Sequence, residues 1–173
     1  MPYIVSGKVK LYFEENGCGY PIIFLHDFES DSRSWDSQVR HFARNYRCMT
    51  YNARGYPPSD VPEEPASYGW ELSVEDVAAV MRGLSISRAH LVGSSGYAAL
   101  QFRLRHPDKV SAIVTAGTRL GSSPREREAW SKKTMAHRPT RIQLKYRDPK
   151  GWSRPHSGSC GGPGRASFPM PID

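Results

Sequence analysis

Leu91-Val92-Gly93-Ser94-Ser95-Gly96-Tyr97-Ala98-Ala99-Leu100 decides the fold class of this 173-residue chain. Ala89-His90-Leu91-Val92 reads as a short apolar strand. Gly93 to Gly96 is a Gly/Ser turn, and Tyr97 to Arg105 is a helix stopped by His106-Pro107. That order puts a serine at the carboxyl end of a strand and at the N-terminus of a helix. Backbone N–H groups at such a place stabilise an oxyanion. Doubly wound sheets carry their chemistry there.

Strand and helix alternate on either side of this stretch. Lys8 to Glu14 is rich in β-formers and reads as a strand, and Asn16-Gly17-Cys18-Gly19 as a turn. Pro21-Ile22-Ile23-Phe24-Leu25 is a continuous apolar run, the pattern of a strand buried on both faces. Ser34 is placed to cap a helix from about Trp35 to Asn45, with Trp35, Val39, Phe42, Ala43 and Tyr46 as its apolar stripe. Tyr46 to Tyr51 reads as the next strand, and the proline-rich stretch 52–65 as a loop. Ser73-Val74-Glu75-Asp76 resembles a capping box, opening a helix with Val74, Val77, Ala78, Met81 and Leu84 on one face. Lys109 to Ala116 is a last strand. Short apolar strands between striped helices predict a mostly parallel sheet with three flanking helices. Ile22–Leu25, Arg47–Tyr51, Ala89–Val92 and Ala112–Thr115 are expected side by side in it.

The ordered series of motifs resembles the opening half of the α/β-hydrolase fold family. Phe24-Leu25-His26-Asp27-Phe28 is similar to that family's strand and His-Gly oxyanion motif. Tyr51-Asn52-Ala53-Arg54-Gly55-Tyr56-Pro57-Pro58-Ser59-Asp60 is similar to its Arg-Gly-x-Gly-x-Ser loop. His90 to Gly93, Tyr97 to Leu104 and His106-Pro107-Asp108-Lys109-Val110 look like its nucleophile elbow and the helix after it. The resemblance covers residues 8 to about 118. It implies hydrolysis of a small carboxylic ester or similar acyl compound, with no cofactor. Ser95 is the implied nucleophile, and the backbone N–H groups of Phe28 and Gly96 are the implied oxyanion hole.

The chain departs from the family pattern at two places. The elbow motif is Gly-x-Ser-x-Gly. Read on Ser95, Gly93 fits and Tyr97 does not; read on Ser94, Gly96 fits and Val92 does not. Ser95 is preferred because Gly93 then keeps its place, and a plain Gly/Ser turn is the alternative to both. Against the family's Gly-x-Ser-x-Gly-Gly-x-Ala the elbow is two residues short, which re-aims the following helix by roughly 200°. Asp27 stands where the family has glycine. It either opposes the developing oxyanion or faces solvent or caps a turn.

A serine nucleophile needs a histidine base and an acid, in chain order Ser, Asp/Glu, His. Asp148 and His156 have that order but lie in Pro/Gly-rich sequence, and His137 precedes Asp148; all three are read as non-catalytic. His26, His41, His90 and His106 are read as structural. Six scattered histidines without ligand spacing make no metal site, and three cysteines without a Cys-x-x-Cys argue against a disulfide framework or a zinc site.

Composition divides the chain near residue 119. Residues 1–119 hold 13 Lys+Arg against 13 Asp+Glu, and residues 120–173 hold 11 against 4, so the net charge of +7 sits wholly in the last third. That third also carries half of the 14 prolines and no valine, a composition that buries too little apolar area to offset chain entropy. Its basic residues are interspersed with acidic ones, so specific nucleic-acid binding is not expected. The expected organisation is a hydrolase-like core over 1–119, a partial cap-like segment over 120–152 and a disordered tail over 153–173. No signal peptide or membrane span is read, and a cytoplasmic location is expected. The expected partner is a small ester-like substrate; the oligomeric state is left open. The reading is therefore a truncated α/β-hydrolase core, impaired or inactive as this chain. The alternatives are a non-catalytic remnant or binding protein, or a cofactor-free lyase or haloperoxidase on the same fold.

Overall fold

The computed structural model describes residues 2–28, 30–94 and 96–117. The expected cap-like and tail segments, 120–152 and 153–173, lie outside them. Among these residues six strands form one sheet: β1 (Tyr3–Ser6), β2 (Val9–Asn16), β3 (Tyr20–Leu25), β4 (Tyr46–Tyr51), β5 (Ala89–Ser94) and β6 (Val110–Ala116). Their order is β1-β2-β4-β3-β5-β6. β4, β3, β5 and β6 run parallel, as the apolar runs predict, and β1 and β2 add an antiparallel edge. Among the described residues, three α-helices flank the sheet: α1 (Asp36–Phe42), α2 (Trp70–Gly83) and α3 (Tyr97–Arg105).

β3 is apolar throughout because it is central and covered on both faces. Ile23 and Leu25 point into the larger core with Leu11, Met49, Leu91 and the buried face of α2. Ile22 and Phe24 point the other way, to Cys48 and the α1 side, where Trp35, Val39, Ala43 and Tyr46 pack against them. Burying each such side chain stabilises the fold by about 1.5–3 kcal/mol, so these two layers dominate its stability. α2 buries Val74, Val77, Ala78 and Met81 as its stripe predicts, and also Ala79, Val80 and Asp76. The turn into β3 needs glycine at position 17. Its φ is +75°, and a Cβ there would stand 2.3 Å from the Ala43 carbonyl oxygen.

Two helix starts differ from the sequence reading. Ser34 lies inside a 3₁₀ turn (Ser32–Trp35) whose cap is Asp31, and α1 begins only at Asp36. The Asp31 carboxylate accepts from the Arg33 N–H at 2.9 Å and binds the Arg33 guanidinium, so it outcompetes the serine hydroxyl for the cap. Ser73 does not open α2 either. The helix starts at Trp70 behind Gly69, and the Ser73 hydroxyl donates to the Gly69 carbonyl at 3.0 Å. Asp76 is drawn inward by an arginine instead of serving a capping box. Cys18, in the turn after β2, is disulfide-bonded, a bond the sparse cysteine set did not announce. No described helix is long and apolar enough to cross a membrane.

β6 is the last strand of the sheet among the described residues. Its seven residues include no charged side chain, and Val114 is 59% exposed.

Candidate active site

Three loops meet at the carboxyl ends of the parallel strands. The register pairs Leu25 of β3 with Gly93 of β5, so the segment after β3 (His26-Asp27-Phe28) lies beside the turn after β5. The segment after β4 (Asn52 to Asp60) flanks the first of these on its other side.

The turn after β5 is tight. A Cβ added to Gly93 would stand 2.9 Å from the Gly96 Cα, so strand end and helix start are nearly in contact. Gly96 has φ +24° and precedes α3 without a side-chain cap. Glycine at both positions is what so short a connection requires. α3 buries Ala99 and Phe102 and leaves Leu104 74% exposed. Ser95 itself, the sequence-derived nucleophile, lies outside the described residues. Ser94 ends β5, half-buried, and its hydroxyl donates to the Asp27 Oδ2 at 3.1 Å. The carboxylate of half-buried Asp27 therefore reaches the end of β5, where the elbow begins.

Asp27 is held in turn. Both ring nitrogens of His26 are engaged. The Ala53 N–H donates to Nε2 at 3.0 Å, and a backbone N–H has no other role, so Nδ1 carries the proton and donates to the Asp27 carbonyl at 2.7 Å. The Tyr56 hydroxyl donates to the Phe28 carbonyl at 2.6 Å, and its ring packs edge-on to His26. The structural reading of His26 matches this geometry. His90 lies within β5, stacked with Tyr20, and His106 follows α3 against Phe102. Among the described residues the hydrogen-bond partner of Ser94 is a carboxylate, not a histidine. Asp148, His137 and His156 lie outside the described residues.

Behind this layer is a buried ion pair. Arg54 grips Asp76 of α2 with two hydrogen bonds of 2.8 and 2.6 Å, and its third arm reaches the Ser67 carbonyl at 2.9 Å. Burial works against the Arg54 charge, but the hydrogen bond and charge of Asp76 outweigh it, and the arginine's pKa is raised. Asn52 and Ser59 complete the loop. The Asn52 side chain accepts from the Ser32 N–H and donates to the Pro57 carbonyl, while the Ser59 hydroxyl donates to the Asn52 carbonyl. The signal for these residues was present as a loop motif. Nothing local in the sequence showed that Asp76, 22 residues further along the chain, would answer Arg54.

A mostly parallel α/β sheet with an elbow after its fifth strand and a histidine-led loop after its third defines a hydrolase-type scaffold. The chain matches the alpha/beta hydrolase fold family over residues 20–154, and it belongs to that family. Among curated relatives it is 31% identical over 120 residues to Epoxide hydrolase 3 of Mus musculus, an alignment covering 67% of this chain and 33% of that protein. It is 32% identical over 101 residues to a putative non-heme chloroperoxidase of Synechocystis, covering 55% of this chain and 36% of that one. Among solved structures, an enol-lactonase from Burkholderia xenovorans LB400 superposes with a TM-score of 0.62 at 27% identity, covering 66% of this chain and 47% of that one. The chain thus spans about a third of the length of the curated relatives it matches.

Proposed function

We propose that the chain carries the elbow side of a hydrolase site for small carboxylic esters or similar acyl compounds, and that it turns them over feebly on its own. In this reading the Ser95 hydroxyl attacks the acyl carbon, and the Phe28 and Gly96 backbone N–H groups receive the oxyanion. The alcohol leaves with a proton, and water then releases the acid. The observation that supports the site is the close approach of Gly93 and Gly96 at the mouth of β5, which sets a strand-to-helix elbow beside the His26–Phe28 loop. The feeble rate is supported by the histidine in that loop. Both His26 nitrogens are engaged away from the elbow, and a serine without a base is a weak nucleophile. Loss of a complete triad lowers kcat by about a millionfold.

The test is hydrolysis of activated short-chain esters by the purified chain, with Ser95→Ala as control. Because relatives are named epoxide hydrolases and a solved neighbour is titled an enol-lactonase, a terminal epoxide and a lactone belong in the panel. Little or no hydrolysis above background is expected, since the serine is without a base and Asp27 beside the oxyanion hole opposes the stabilisation that would remain. Robust turnover abolished by Ser95→Ala would overturn the feeble-rate reading and point to His137 or His156 as the base.

A further inference from the structure

The geometry points to Asp27 as a positioning residue that latches the shortened elbow through the Ser94 hydroxyl. The inference rests on the elbow reading above but concerns how the turn is held, not which atom attacks. The turn is short of restraint by its own means. α3 begins behind Gly96 with no side-chain cap, and the tight approach of Gly93 to Gly96 uses two residues that lose the most chain entropy on ordering. The Asp27–Ser94 hydrogen bond ties the end of β5, where the turn begins, to the loop after β3, across a separation of 67 residues in the chain.

The latch has a fixed far end. The Asp27 carbonyl accepts from the His26 ring at 2.7 Å and from the Ser30 N–H at 3.4 Å. The same His26 ring is pinned by the Ala53 N–H, and Arg54 beside it is locked to Asp76. A continuous chain of hydrogen bonds and one backbone step therefore runs from the buried face of α2 to the elbow. A glycine at position 27, the residue its family resemblance leads one to expect, has no side chain to reach Ser94. Two departures from the family pattern, the short elbow and the aspartate, thereby become one device: the second holds what the first leaves loose.

Amide hydrogen exchange over residues 96–100 and the labelling rate of Ser95 by a fluorophosphonate probe test the latch on the full chain. Asp27→Ala should speed exchange of those amides about tenfold, as expected for losing one partly buried hydrogen bond, and should slow labelling. Exchange in α2 should stay as in the parent. Asp27→Asn keeps an acceptor for the Ser94 hydroxyl and should restore both readouts. Ser94→Ala removes the donor instead, should reproduce Asp27→Ala, and should add nothing to it in the double variant. Unchanged exchange in Asp27→Ala and Ser94→Ala would overturn the latch, as would Asp27→Asn behaving like Asp27→Ala. Faster exchange in both alanine variants, with no Ser95 labelling in any protein, would confirm the latch and sink the Ser95 nucleophile instead.

Discussion

Cys48 stands on β4 with no exposed surface, against Ile22 and Phe24. Burial pushes its thiol from the usual 9.0 up to about 11. The fold therefore prefers the protonated thiol. Its contribution is whole below pH 9, where folded and unfolded thiols are both protonated, and is lost as pH rises from 9 through 11. Tyr12 is raised in the same direction, by burial first and then by its hydrogen bond to Glu14. The expected result is a urea midpoint that falls between pH 8 and pH 10.5, by less in Cys48→Ala than in the parent; an equal fall in both would clear the thiol of any part in it. Residue-scale signals were the least legible part of the sequence. Ser34 and Ser73 have the right side chains for caps, yet Asp31 and Gly69 occupy those places. A hydroxyl caps only if no nearby carboxylate competes and the chain enters the helix at that point, and both conditions are tertiary. Asp27 was legible as a departure, but its partner Ser94 was not, because that pairing depends on β3 lying next to β5.

At the scale of elements, the loop after β4 and helix α2 are joined by the Arg54–Asp76 pair, 5% and 1% exposed. Removing one member leaves the other charged and buried, which costs about 3–5 kcal/mol. Asp76→Ala is accordingly expected to lower the denaturant midpoint by that equivalent, and the Arg54→Met/Asp76→Leu double variant to recover most of it. A double variant no more stable than Asp76→Ala would mean that Arg54 matters through its contact with the Ser67 carbonyl instead. Elements themselves were largely legible. The apolar run from Pro21 to Leu25 announced a strand covered on both sides, and the stripe on α2 announced a helix covered on one. Strand order was not legible, since periodicity reveals which segments are strands and not which are neighbours. The crossing that places β4 between β2 and β3 is set by how each helix packs back onto the sheet.

For the whole molecule, the family was legible because five motifs fell in the right order, and no single one would have carried it. The candidate site was legible only on its elbow side, since a base and an acid are recognised by geometry and not by position in the chain. The sheet also ends, among the described residues, on a strand with properties that matter in the test tube. β6 offers seven uncharged residues and a bare Val114; its one irregularity falls at its start, where Ser111 is skipped in the pairing with β5, and Ala112 to Ala116 carry neither the lysine nor the proline that edge strands of monomeric proteins ordinarily display. Two such edges meeting from different molecules would feel no like-charge repulsion along the strand. Light scattering should therefore grow with protein concentration, and Val114→Lys should suppress it without moving the thermal midpoint by more than about 2 °C, the shift that a surface change of up to ~0.5 kcal/mol produces. Scattering that Val114→Lys leaves untouched would place the stickiness elsewhere. β6 would then be a quiet border, and the colloidal behaviour of the protein would have to be sought away from this strand.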